Sequence, residues 1–154
     1  KQINKEYLFG LSKFSTYNKF SKNVIKSKKQ LLKILEKLKK DKKTVIGYGA
    51  TAKSATIINY CGIGTEHIPF ITDTTPVKQG KFSPGAHIPI VKPEEITQIN
   101  PDYALLFAWN HLEEIKQKEM EFVRRSGKWI IPIRMVEIIW TVLSCGLLNL
   151  KTGY

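Results

Sequence analysis

The chain has 154 residues, 42% hydrophobic and 25% charged, with a formal net charge of +12. That length suits one domain with an N-terminal extension and a core of its own, and the composition is that of a soluble globular protein. The longest apolar stretch, Ile138 to Leu148, is interrupted by Thr141, Ser144 and Gly146; it is shorter than the roughly 20 residues of a membrane span, so no membrane partner is expected.

The charge is unevenly placed. Residues 1–43 hold 14 lysines and 3 acids, while residues 44–154 hold 11 basic and 10 acidic side chains. The basic character therefore belongs to the leading segment and reads as a solvated helix face. No nucleic-acid-reading motif accompanies it, so no nucleic-acid partner is expected. The polar, lysine-bearing start has no signal-peptide core behind it. Cys61 and Cys145 have no metal or redox spacing and read as reduced thiols of a cytoplasmic protein.

Residues 1–12 show no clear period. From about Ser15, Phe14, Tyr17, Phe20, Val24, Leu31, Leu35 and Leu38 recur at three, four or seven residues with lysines between them. This spacing predicts a long amphipathic helix ending near Lys40-Asp41, capped by Ser12 or Ser15, whose stripe covers a sheet. Residues 43–47 read as a strand, Gly47-Tyr48-Gly49-Ala50 as a tight turn, and Thr51 to Tyr60 as a helix stopped at Cys61-Gly62. Ile68 to Thr72 is a second strand closing on Asp73. Residues 74–86 have no apolar period and read as a long functional loop. His87 to Val91 is a short strand, Pro93 to Ile96 a helical turn, and Tyr103 to Phe107 a buried strand. Trp109-Asn110 leads into a helix from about His111 to Arg125, stopped at Ser126-Gly127, and Lys128 to Pro132 is the next strand.

Strand–helix alternation predicts an α/β fold: a Rossmann-like, mostly parallel sheet with helices on both faces, preceded by the long N-terminal helix. Three regions follow: a lysine-rich packing segment (1–42), the Rossmann-like domain (43–134) and a C-terminal packing element or tail (135–154). Ligands bind such sheets at the carboxyl ends of the strands, where Gly47–Ala50, Asp73, the 74–86 loop and Trp109-Asn110 all fall. Lys53 stands one turn into a helix whose N-terminus is a ready anion site.

Gly47, Gly49 and Ala52 also fit G-x-G-x-x-A, with Asp73 about twenty residues on, which is the dinucleotide fingerprint. A dinucleotide- or CoA-binding domain is therefore one alternative, and a structural or docking domain another. His67, His87 and His111 lie on separate elements and suggest no metal site. His67 and His111 read as surface or helix-start residues and His87 as a residue at the mouth. Neither G-x-S-x-G nor a nucleophile–base pair is present, and Glu94-Glu95 and Glu113-Glu114 are explained by helix starts, so no catalytic residue is assigned.

The segments GYGATAKSATIINYCGIG, KQGKFSPGAHIPI and PDYALLFAWN resemble the C-terminal domain of SAM-dependent sugar C-methyltransferases, over about Leu11 to Val136. Ser54-Ala55 stands where the family has Gly-Asn, and Ala86 where it has Thr. The resemblance implies a nucleotide-sugar-binding domain, inactive alone, acting on a keto-deoxysugar nucleotide destined for polysaccharide or deoxysugar biosynthesis. It implies no cofactor in this chain, with S-adenosylmethionine and a structural zinc held by upstream parts of the enzyme. Its implied partners are a nucleotide-diphosphate sugar and the upstream SAM-binding domain. Carried over by motif, Gly47, Tyr48, Gly49, Ala50 and Lys53 line the phosphate side, and Asp73, Lys78, Gln79, Gly85, His87, Trp109 and Asn110 complete the wall.

Overall fold

A computed structural model describes residues 2–133 and the backbone of 137–139. The elements in order are α1 (Gln2–Leu8), α2 (Phe14–Lys40), β1 (Val45–Tyr48), α3 (Ala52–Cys61), β2 (Ile71–Thr72), β3 (Ile90–Val91), α4 (Glu95–Ile99), β4 (Tyr103–Leu106), α5 (Leu112–Lys118), α6 (Met120–Arg124), β5 (Lys128–Ile131) and β6 (Glu137–Ile139), with 3-10 turns at Pro76–Lys78 and Trp109–His111. They form one sheet in the order β3-β2-β1-β4-β5-β6. The first five strands in that order run parallel and β6 pairs antiparallel with β5.

The strands sort their residues by the two-residue period of extended chain. Val45, Leu105, Phe107 and Ile130 face a core closed by Leu31, Leu35 and Leu38 of α2 and Ile58 of α3. Ile46, Tyr48, Ala104, Leu106 and Trp129 face the other way, against Ile96 of α4, Ile115 of α5 and Phe122 of α6. Burial on both sides explains why β1 and β4 lack polar alternation. Helices therefore cover both faces, as the strand–helix alternation predicts.

Several local expectations are corrected. The 1–12 segment contains α1, and the residue before α2 is Lys13, whose side chain makes no capping bond; neither Ser12 nor Ser15 is the cap. Only the second half of the α2 stripe lies on the sheet. Phe14 is 78% exposed and Phe20 68%, because α2 passes the carboxyl end of β5 near Ser27, whose Oγ donates to the Pro132 carbonyl at 3.2 Å. The second and third strands are shorter than read, since Pro69 and Pro89 have no N–H to give a ladder. The 74–86 segment is a shaped hairpin arm with a 3-10 turn and a bridge between Phe82 and Pro89.

The helix expected over 111–125 is broken at Glu119, which leaves helical geometry at φ −98°, ψ 37°. There its carboxylate accepts the Tyr48 hydroxyl at 2.8 Å. His67 is no surface residue: its side chain is 8% exposed, between Glu36 of α2 and Glu66 at 3.0 Å each. The helix stop is as read, with Gly62 in the left-handed region at φ 73°. Within the tail β6 adds an edge strand; Cys145 and the rest of 140–154 lie outside the described residues. Among the described residues no helix is long and apolar enough to cross a membrane, and no three His, Cys, Asp or Glu side chains cluster as metal ligands.

Candidate functional site

The site begins with a close approach of chain segments. Gly47 lies in β1 with Ile71 and Phe107 against it; a Cβ there would stand 2.8 Å from Ile71 Cγ1 and 3.1 Å from Phe107 Cε2. Gly47 is therefore a packing residue, and it does not reach solvent. Gly49 makes the turn itself, with φ +89°, a conformation that L side chains rarely adopt. Thr51, in extended geometry, caps α3: its Oγ1 accepts the Ser54 N–H at 3.2 Å. The first turn of a helix has N–H groups without intrahelical acceptors. With Ser54 satisfied by the cap, those of Ala52 and Lys53 have no acceptor among the described residues.

Asp73, directly after β2, is a node beside this turn. Its Oδ2 accepts the Ala50 N–H at 2.7 Å and the Lys78 ammonium at 3.2 Å, and its Oδ1 accepts the Thr75 N–H at 2.8 Å. Lys78 Nζ also donates to the Ala50 carbonyl at 2.8 Å, and the Gln79 amide to the Asp73 carbonyl at 2.9 Å. Burial works to raise the pKa of this carboxyl, but the hydrogen bonds from Thr75 and Lys78 outweigh it and hold the group below its ordinary value. The arrangement ties the 74–79 segment to the glycine turn.

Across the turn, Lys53 Nζ donates to Asn110 Oδ1 at 2.6 Å and lies 4.9 Å from the centre of the Trp109 ring, within cation–π range. Between β1, β2 and α5 opens a cleft of about 360 Å³, lined among others by Tyr48, Gly49, Thr51, Asp73, His111 and Glu114. The Tyr48 hydroxyl is held protonated, its pKa raised by burial and then by its bond to Glu119.

The sequence-predicted residues thus divide into groups. Ala50, Asp73, Lys78 and Gln79 form one hydrogen-bonded cluster, and Lys53, Trp109 and Asn110 form another; Tyr48 and Gly49 line the cleft. Gly85 and His87 are not brought into it. Gly85 has φ +83° and lies so close to the Asn59 amide that a Cβ would collide with it, while His87 is exposed at the hairpin corner with φ +51°. Sequence reasoning did not single out Thr51, Thr75 or Glu119. Thr51 was legible as a Thr just ahead of a helix; Glu119 carried no signal, because only the break between α5 and α6 points it at Tyr48.

Chemically, the mouth offers an ammonium, two N–H groups without acceptors at a helix start and an aromatic face, a set suited to an anion with a flat or carbohydrate group attached. Residues 1–134 match the C-methyltransferase C-terminal domain family. The chain is 39% identical over 130 residues to the C-methyltransferase NovU of Streptomyces niveus, a match covering 84% of this chain and 31% of that protein. The chain therefore spans under a third of the length of this curated relative. On that match and that identity, the chain belongs to the C-methyltransferase C-terminal domain family.

Proposed function

We propose that this domain binds the nucleotide-diphosphate end of a keto-deoxysugar nucleotide for a SAM-dependent C-methyltransferase, and that methyl transfer takes place on another part of the polypeptide. The observation that carries the reading is the division of labour at the turn. Asp73, where a dinucleotide fold keeps a carboxylate for the ribose hydroxyls, is turned inward onto Ala50, Thr75 and Lys78. Three of the roughly four acceptor positions of that carboxylate are already taken, and only 7% of its side chain is exposed, which leaves little for a ribose to bind and counts against the dinucleotide or CoA alternative. The same argument makes the turn a poor fit for the adenosyl ribose of S-adenosylmethionine. Lys53, by contrast, stands exposed beside the start of α3, with only a neutral amide and an indole as partners, and suits a diphosphate.

Calorimetric titration of the chain with dTDP-, UDP-, GDP- and CDP-sugars, NAD and S-adenosylmethionine tests this. One class of nucleotide sugar binds, and Lys53→Ala weakens it about 10- to 150-fold, the value of one charge-assisted hydrogen bond. Binding of NAD, or nucleotide-sugar binding indifferent to Lys53→Ala, overturns the reading.

A docking role is the second reading, and the exposed aromatic half of α2 favours it: Phe14, Tyr17 and Phe20, bordered by lysines, suit an apolar surface with an acidic rim. The upstream SAM-binding domain is the partner proposed for that surface.

A further inference from the structure

The glycine turn has a second side. Between the start of α3 and the hairpin arm lies a groove of about 390 Å³, with Ala52 and Ala55 on one wall and Val77, Lys81 and Phe82 on the other. Phe82 contributes nothing to the core; it is 61% exposed. Yet the backbone that carries it is tightly held. Gly80 N–H donates to the Ile90 carbonyl at 2.9 Å, Ile90 N–H to the Lys81 carbonyl at 2.8 Å, and Ser83 N–H to the Ile88 carbonyl at 2.8 Å. The buried Ser83 hydroxyl accepts the Ile88 N–H at 3.0 Å. An exposed aromatic ring on a fixed arm, lining one groove with two alanines of a helix start and with Lys81, suits a planar heterocycle bearing a negative tail. The cleft on the other side of the turn carries the Asp73 and Glu114 carboxylates and is the poorer place for such a group.

We propose that this groove is the nucleobase subsite. The heterocycle of a nucleoside diphosphate lies between Phe82 and the Ala52–Ala55 wall of α3, and its phosphates lie at the start of α3, near Lys53 and Lys81. The group on the distal phosphate then passes over the turn toward Trp109, Asn110 and the cleft between β1, β2 and α5. This assignment gives the ligand a direction across the domain, and it rests on the nucleotide-sugar reading above.

The test compares binding of dTDP, UDP, GDP, CDP and inorganic pyrophosphate to the 154-residue chain and to Phe82→Ala and Phe82→Trp. Because Phe82 is exposed, both variants keep the wild-type melting temperature, which is measured alongside. Stacking of one base is lost in Phe82→Ala, weakening the nucleoside diphosphate about 5- to 150-fold. Pyrophosphate binding stays unchanged, and Phe82→Trp keeps or strengthens the nucleotide. A nucleoside diphosphate that binds wild type and Phe82→Ala equally sinks the subsite while leaving the nucleotide-sugar reading intact. No binding of any nucleoside diphosphate to wild type overturns that reading, and the subsite with it.

Discussion

Replacing Asp73 by Asn separates a structural carboxylate from a ligand-binding one. In the wild type the carboxylate accepts two backbone N–H groups and the Lys78 ammonium, while only 7% of its side chain is exposed. An Asn side chain offers one oxygen, so one of the Ala50 and Thr75 N–H groups would face an NH2 donor instead, and Lys78 would lose its counter-charge. Losing a hydrogen bond between a buried donor and a charged acceptor costs about 1.5–3 kcal/mol. Lys78 is 37% exposed and regains water, so it adds little. The expected destabilisation at pH 7 is therefore about 2–3 kcal/mol, or roughly 4–12 °C in Tm for a chain of this size.

The effect has a defined pH dependence. Because the folded pKa of Asp73 is lowered, its contribution is fully present above the unfolded carboxylate value of about 3.9 and is lost as pH falls through the folded pKa. The gap between wild-type and Asp73→Asn melting temperatures, measured by scanning calorimetry between pH 7 and pH 2.5, should narrow below about pH 4. A variant that melts with wild type at pH 7 but loses affinity for a nucleotide would refute the reasoning, since it would mean that the carboxylate serves a ligand.

Four further outcomes are expected. Gly47→Ala forces a Cβ against Ile71 and Phe107 and should cost about 1–3 kcal/mol by overpacking. Gly62→Ala meets nothing within 4 Å and should cost about 1–2 kcal/mol through its left-handed φ of +73° alone; Gly62→Asn should recover part of that loss, whereas Gly47→Asn should not, both read by urea unfolding. On α2, Leu35→Ala should cost about 2–5 kcal/mol, while Phe14→Ala, on the exposed half of the same stripe, should stay within about 0.5 kcal/mol; equal costs would mean that the first half of the helix is packed in the isolated chain. Glu36 has a lowered pKa, caused first by its hydrogen bond to His67, so what it gives to stability lasts above the ordinary carboxylate range and fades as pH falls through the lowered value. Carboxyl-carbon titration by NMR should show it return toward an ordinary value in His67→Gln, and an unchanged titration would show that the bond does not form in solution.

Much of the architecture was legible because it follows from periodicity. The alternation of apolar runs with helical segments was enough to place the strands and the covering helices, and Gly62 announced its stop by chemistry that acts locally. What was not legible depends on contacts distant in sequence. The glycine spacing is the same whether Gly47 admits a phosphate or, as here, the side chains of Ile71 and Phe107. Likewise Asp73 sits where a ribose carboxylate would sit, and only the fold of the 74–79 segment decides that it is buried against Ala50, Thr75 and Lys78. The α2 stripe read as one continuous packing surface because helical period says which face is apolar and not how far the sheet beneath it extends. Phe82 carries no sequence signal, since a single aromatic in a polar loop has no pattern; its place on a hydrogen-bonded hairpin beside α3 is a tertiary fact.

The continuity of α2 has a mechanical consequence. Residues 31–38 are clamped into the core, while the ten residues from Phe14 to Asn23 span about 15 Å of helix beyond the hydrogen bond at Ser27. No break in the helix separates the two halves, so a tilt of about 10° would move its tip by about 2.5 Å. Whatever grips the aromatic end is thereby rigidly coupled to the strands that carry the glycine turn.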